Sequence, residues 1–362
     1  MRALLIGGAG YIGSATTRIL SQEGDEVTVL DNFDRAIHPR GWEPDDFPGL
    51  RDAEVVEGDA LDLETIRPLI ERCDVVFLMA SLTGTGESMK QVRRYCHLNS
   101  QVAAALCEAL ATAANRPSRV VLASTRGVYG EGPHLCADDG VVFPRPRDPF
   151  DLSEGRFDVL CPCCANPVRS LPSKEPEKVF PASIYGATKL AQEHIVEIQC
   201  RALRIPLTIL RYQNVYGPEQ SALSSHTGIL TYFIRNAMEQ KPIRLFEDGA
   251  IVRDFTYISD VARANALAAA SSTNDFKVIN IGTGVPLTLL DAAKAIVAAC
   301  NSRSSIEITG QFRVGDVRSA CADVNRMQTE LMMPPPTPLR DGIAVMRDSY
   351  RRGGSVVAPV IL

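Results

Sequence analysis

The sequence offers no apolar run that approaches the length of a membrane span, and no cluster of lysine and arginine. The first absence argues against a membrane partner. The second, with a formal net charge of −5, argues against nucleic acid. The apolar stretch near the start, Ala3 to Ile6, is too short for a secretion signal and serves better as a first strand. Tryptophan occurs once, at Trp42, in the polar loop Phe33 to Leu50, which reads as a surface excursion or a lid near an adenosine. No segment repeats another. Cysteine is the exception to this scarcity. Ten cysteines lie scattered through helical and strand patterns, so they are expected to be reduced and the protein cytoplasmic. The rest is ordinary for a globular protein: 45% hydrophobic and 22% charged residues in 362, enough for one large domain or two intimate ones.

The first positive signal is N-terminal. A strand over Arg2 to Ile6 runs into Gly7-Gly8-Ala9-Gly10-Tyr11-Ile12-Gly13 and an amphipathic helix to about Gly24. The next strand, Glu26 to Leu30, ends on Asp31. Gly8, Gly10 and Gly13 match G-x-G-x-x-G, with an acid about twenty residues on. Such glycines allow a tight turn and let a pyrophosphate approach a helix N-terminus. Asp31 would accept hydrogen bonds from ribose hydroxyls and repel a 2′-phosphate, which points to NAD rather than NADP.

The second signal is Ser183-Ile184-Tyr185-Gly186-Ala187-Thr188-Lys189, at the head of an apolar-periodic segment to Leu203. Residues four apart share a helix face. A lysine ammonium beside a phenol favours the phenolate, so Tyr185 could take or give a proton near neutral pH. Alone the pair describes any exposed helix face. Joined to the glycine fingerprint, it resembles the extended short-chain dehydrogenase/reductase family, in its nucleotide-sugar epimerase and dehydratase group. The resemblance runs nearly end to end.

That resemblance implies an α/β fold: a modified Rossmann doubly wound parallel sheet with a smaller α/β C-terminal substrate domain. Residues 1–215 would form the NAD-binding domain, with a Cys/Pro-rich insertion at about 131–181 and completion by about 252–283. Residues 216–251 and 284–362 would bind the nucleotide sugar. The implied NAD contacts are Gly7, Gly10, Tyr11, Ile12, Gly13, Asp31, Asn32, Asp59, Ala60, Ala80, Ser81, Asn99, Tyr185 and Lys189. A long helix over about Ser88 to Ala114 would pack with the Tyr185 helix against their copies in a homodimer. Asn214, in Arg211-Tyr212-Gln213-Asn214-Val215-Tyr216-Gly217-Pro218, would meet the sugar or its phosphates. Arg253 suits a diphosphate because a guanidinium fork matches phosphate oxygens; Arg318 takes the same role by resemblance, and Arg313 less so. Asp260, or Ser259, would cap the helix that follows. The polar segment Ser221 to Gly228 would cover the sugar. A short strand is expected to end at Asp323.

Strand five, Arg119 to Ala123, leads into Ser124-Thr125-Arg126-Gly127. Hydroxyls at a strand end are ordinarily satisfied by backbone. The family context turns Ser124 or Thr125 towards the reacting sugar oxygen. The same segment excludes one reaction. The family's 4,6-dehydratases carry an Asp-Glu pair where this chain has Arg126 and Gly127, and without a carboxylate an elimination lacks its proton shuttles. A uronate decarboxylase reading is weakened likewise.

The insertion contains Cys161-Pro162-Cys163-Cys164, a C-x-x-C turn, with Cys136 earlier. Cys136, Cys161 and Cys164 could supply three ligands to a structural zinc, with Asp139, Cys163 or His134 as the fourth. Free surface thiols or a redox-labile pair remain open. A similar insertion is the reason the chain is most like the dTDP-L-rhamnose 4-epimerases of the family. The function implied is 4-epimerisation of a nucleotide-diphosphate sugar by transient oxidation at C4. A 4-keto-6-deoxysugar reductase and a non-catalytic NAD-sensing scaffold are the alternatives.

Overall fold

A computed structural model describes residues 1–352 except 36, 39, 40, 42, 44–46, 221–227 and 274. Trp42 and nearly all of the polar segment expected over the sugar therefore lie outside the described residues. Seven strands make one sheet: β1 (Arg2–Ile6), β2 (Glu26–Asp31), β3 (Glu54–Glu57), β4 (Val75–Leu78), β5 (Arg119–Thr125), β6 (Leu207–Tyr212) and β7 (Phe276–Ile281). Their order is β3-β2-β1-β4-β5-β6-β7, and every pairing is parallel. Parallel sheets are covered on both faces, which is why these strands read as nearly continuous apolar runs.

Alternation along each strand builds two cores. Leu5, Val29, Phe77, Val121 and Leu210 pack beneath α1 (Tyr11–Gln22) and the helix Ile258–Ala270. Leu4, Ile6, Val76, Leu122 and Ile209 pack beneath α2 (Leu63–Glu71), α3 (Val92–Thr112) and α4 (Ile184–Leu203). A third cluster joins the helices Ile229–Met238, Leu289–Ala299 and Leu339–Arg351 with the strand pair Ile243–Leu245 and Ile306–Ile308. Strand order reverses between β1 and β4, and there the C-terminal strand ends part to leave a crevice. No helix among the described residues is long and apolar enough to cross a membrane.

The structure departs from the sequence reading in several places. β5 runs two residues beyond the expected Ala123, because Ser124 and Thr125 pair with Arg211 and Tyr212. The long helix expected from Ser88 is broken into Thr85–Ser88 and α3. The stretch 251–257, whose apolar pattern reads as one strand, splits at Asp254. Val252–Arg253 runs antiparallel to Leu287–Thr288, whereas Phe255–Tyr257 runs parallel to Asn214–Tyr216. The cause is the buried Asp254 carboxylate, which accepts from Thr283 N at 2.8 Å and Gly284 N at 3.0 Å. No strand forms before Asp323; only isolated bridges occur, at Ser319 and Ala322. Asp260 does not cap its helix, since it lies in the first turn. It accepts instead from Thr337 N at 2.8 Å and Thr337 Oγ1 at 3.0 Å, tying down the proline-rich connector. The insertion, aperiodic in sequence, holds a three-stranded antiparallel sheet with His134–Cys136 between Gly140–Val142 and Arg169–Ser170. Strands this short fall below the window in which a period can be read.

Candidate active site

The crevice is lined by Gly7, Gly10, Asp31, Asn32, Asp59, Ala60, Ala80 and Ser81, contributed by the loops after β1, β2, β3 and β4. Leu30, Leu82, Leu98 and Val102 add apolar walls. Nothing in the sequence marked these four, because an apolar position looks the same whether it meets a core or a ligand. The glycines do separate jobs. Gly7 takes φ +81°, and a Cβ there would lie 2.5 Å from the Ala80 backbone. A Cβ on Gly13 would lie 2.6 Å from Gly8 O, so this glycine serves packing of α1 on the strand. A Cβ on Gly10 would meet nothing nearer than Gly7 O at 3.5 Å. The protein itself does not need Gly10 bare, and the space its missing side chain leaves opens on the crevice.

Gly10 gives α1 no side-chain cap, so first-turn N–H groups are available to an anion. Tyr11 and Ile12 can offer only backbone, for the Tyr11 hydroxyl lies against Gly217 and Ile12 packs into the core. Asp31 is held at the crevice edge by Ala9 N and Phe33 N, both 3.0 Å from its carboxylate. Each oxygen keeps a further lone pair for a ribose hydroxyl. Burial pushes its pKa up against these backbone bonds and the nearby His38. Asn99 serves by holding the geometry of the crevice. Its amide is consumed by Leu82 N at 2.7 Å, Leu82 O at 3.1 Å and Thr188 Oγ1 at 2.9 Å. It clamps the loop after β4 to α4 rather than facing the crevice.

Ser183 starts α4 by accepting from Gly186 N at 3.1 Å. Gly186 then allows close approach, since a Cβ there would lie 2.5 Å from Gly127 O. The first turn of α4 therefore presses on the turn Arg126–Tyr129 that follows β5, and Tyr185 meets Thr125. Burial lifts the phenol's pKa above its ordinary value, and Thr125 and the charge of Arg126 only partly offset it. Lys189, only 2% exposed, donates to Gln192 Oε1 instead of the phenol, and Gln192 Nε2 donates to Asn99 O at 2.7 Å. Burial pushes the Lys189 pKa down to about 7, with the Glu193 charge opposing.

Thr125 and Ser124 part company. The Ser124 hydroxyl donates to Glu193, whose carboxylate also takes Arg211 Nε at 3.0 Å and Nη2 at 2.7 Å. Adjacent strand residues project in opposite senses, so only one of the two hydroxyls reaches the phenol. Ser124 belongs to a buried ion network, which corrects its expected catalytic place.

The cations also sort. Arg253 binds Asp316 at 2.6 Å and Val252 O at 2.7 Å. Burial pushes the Asp316 carboxyl up, but the charges of Arg253, Arg126 and Arg313 more than offset it and hold the carboxyl below its usual range. Three guanidiniums around one carboxylate leave an excess of positive charge. Arg126, absent from the expected site, makes no hydrogen bond or ion pair with a described residue. Burial and Arg253 push its pKa down to about 10. The signal for it was the basic residue standing where relatives carry an acid. Arg318 is the reverse case. Its Nη1 contacts Glu247 at 2.9 Å, Asp248 takes both Nη atoms at 2.7 Å, and Asp158 lies at 3.4 Å. Saturated by carboxylates, it is not placed to receive a diphosphate. Asn214 Oδ1 is buried without a hydrogen-bond partner, an acceptor left open beside β6.

Residues 3–282 match the sequence model of the NAD dependent epimerase/dehydratase family. The chain belongs to that family. It is 35% identical over 350 residues to the dTDP-L-rhamnose 4-epimerase of Burkholderia thailandensis, covering 96% of this chain and 94% of that protein. It is 26% identical to the UDP-glucose 4-epimerase of Corynebacterium glutamicum, covering 92% and 91%. Among solved structures, the UDP-glucose 4-epimerase of Thermotoga maritima with UDP-glucose superposes with a TM-score of 0.79 at 27% identity, covering 97% and 99%. The Thermus thermophilus UDP-glucose 4-epimerase with NAD gives 0.78 at 25% identity, covering 98% and 100%.

As an NAD-dependent epimerase/dehydratase family member the chain uses NAD, and the crevice fits it: Gly10 leaves room at an open helix N-terminus and Asp31 stands at the ribose position. Away from the crevice, Cys136, Asp139, Cys161 and Cys164 come together in the insertion. Cys163 stands outside that group, and His134 Nδ1 is 3.3 Å from Gly132 O.

Proposed function

We propose that this family member is a nucleotide-sugar 4-epimerase acting on a dTDP-6-deoxyhexose such as dTDP-L-rhamnose. The observation that carries the reading is the Tyr185 phenol set beside Thr125 and Arg126, with no carboxylate at either position after Thr125. Tyr185, as phenolate, takes the proton of the sugar C4 hydroxyl and later returns it. Thr125 donates a hydrogen bond to that oxygen. Lys189 swings from Gln192 to the nicotinamide ribose. Arg126, Arg253 and Arg313 hold the diphosphate, and Asn214 Oδ1 accepts from the sugar. NAD, when bound, would supply a reversible hydride acceptor for C4, so that the reaction has no net redox.

The choice of sugar rests on the likeness to the Burkholderia thailandensis protein. α3 packs beside α4, and Ile198 on α4 is 70% exposed, a face that suits a homodimer. The test is proton NMR of the purified protein with dTDP-L-rhamnose and with UDP-hexoses, no cofactor added. A C4 epimer formed from dTDP-L-rhamnose without NADH consumption is the expected outcome. Turnover only of a 4-keto sugar, and only with added NADH or NADPH, would replace the epimerase by a reductase.

A further inference from the structure

We propose that Cys136, Asp139, Cys161 and Cys164 bind one structural zinc ion that staples the insertion 131–181. The proposal is independent of the epimerase reading. The ligand atoms all lie within 4.8 Å of one another. Cys136 Sγ is 3.5 Å from Cys164 Sγ and 3.5 Å from Asp139 Oδ2, and Cys161 Sγ is 3.1 Å from the same oxygen. A tetrahedral zinc with Zn–S of about 2.3 Å and Zn–O of about 2.0 Å sets S···S near about 3.8 Å and S···O near about 3.5 Å. The observed edges approach that tetrahedron.

The backbone is built for it. Two tight turns each present positions i and i+3. The first, Cys136 to Asp139, closes the hairpin between His134–Cys136 and Gly140–Val142. The second, Cys161 to Cys164, is closed by Cys161 N to Asn166 O at 2.8 Å and Ala165 N to Cys161 O at 3.0 Å. Cys163 N–H is aimed at Cys161 Sγ at 3.4 Å, a donor that supports a thiolate. A carboxylate gathered among three sulfurs calls for a cation, yet no lysine, arginine or histidine among the described residues makes an ion pair with Asp139. With all four positions taken by protein, the site has no open coordination place and is structural rather than catalytic.

The insertion also needs a staple. Its apolar cluster is Cys136, Val142 and Cys161 with Val168 against them, so the sulfur residues are most of its core. So small a core does not hold a fold by itself. The ordered insertion in turn delivers Glu131 and Arg147 to the substrate side. Arg147 contacts Glu131 at 3.2 Å and Glu247 at 2.8 Å, and Arg318 N donates to Glu131 at 2.9 Å.

Elemental mass spectrometry of the purified full-length protein tests this directly. The expected result is about one zinc per chain, retained by Asp139→Cys, which releases it more slowly to a chromophoric chelator, and lost by Cys161→Ser. Cobalt(II) exchanged into the wild-type protein should show intense tetrahedral d–d absorption with thiolate charge transfer. Chelation should lower Tm while NAD remains bound. Zinc far below stoichiometry in folded wild-type protein, iron in its place, or a Cys136–Cys164 disulfide in the mass spectrum would each overturn the proposal. The wild-type and Asp139→Cys measurements decide it even if Cys161→Ser does not fold.

Discussion

Replacing Thr125 by valine deletes one hydroxyl and keeps the branched shape. The hydroxyl has two partners, the Tyr185 phenol and Gly127 N at 3.1 Å. A hydrogen bond to an ionised group contributes about 1.5–3 kcal/mol. If the single Thr125 O–H steadies the sugar oxygen in the transition state, its loss should lower kcat about ten- to hundredfold. KM should move little, because the diphosphate contacts are untouched. The pH profile should move as well. Thr125 pulls the phenol pKa down, so without it the pKa rises. The phenolate is the working base, and the limb on which activity climbs with pH should therefore shift to higher pH. Losing the contact to Gly127 N costs about 1 kcal/mol of stability, visible in urea. Ser124→Ala is the control, since its hydroxyl serves Glu193; it should weaken the fold and leave the pH limb in place. The assay is NMR-monitored epimerisation of dTDP-L-rhamnose across neutral to alkaline pH. Unchanged kcat and pH limb in Thr125→Val, with both altered in Ser124→Ala, would refute the assignment.

Arg126→Met should raise KM for the nucleotide sugar about ten- to hundredfold, as expected for a lost charge-assisted hydrogen bond, and unchanged KM would remove Arg126 from the site. Glu247 is 1% exposed and pairs with both Arg147 and Arg318, so Glu247→Ala takes one carboxylate from each, leaving Arg147 with Glu131 and Arg318 with Asp248, and should cost about 1.5–3 kcal/mol in urea unfolding; a loss below 1 kcal/mol, on the order of a surface pair, would contradict the buried network. The Lys189 pKa of about 7 lies below the ordinary 10.5, so between these values the unfolded chain binds more protons than the folded one. Stability of the wild type relative to Lys189→Met should therefore rise with pH across that window, and a flat difference would deny the burial.

The sequence alone determined the parts whose physics is local. Strands β1, β2 and β5 were legible because a sheet buried on both faces demands apolar runs, and the dinucleotide site because a tight turn demands glycine at Gly7 and the close approach of a ligand demands it at Gly10. The absence of a dehydratase's acid pair was likewise plain at Arg126 and Gly127. Only tertiary structure decided what depends on partners distant in the chain. Thr125 and Ser124 are chemically near-equivalent neighbours, and Glu193, 69 residues from Ser124, is what separates them. Arg318 resembled a phosphate ligand until Glu247 and Asp248 were found to hold it. Arg126 was marked in the sequence only by the acid it replaces, and its place in the site came from Tyr185, Arg253 and Asp316 around it. Asp139 was one of three candidates for a fourth ligand, and the fold of the insertion brought it, rather than Cys163 or His134, against three thiols. A side chain's chemistry is written at its own position, but its protonation, its free valences and its access are set by whatever the fold places against it.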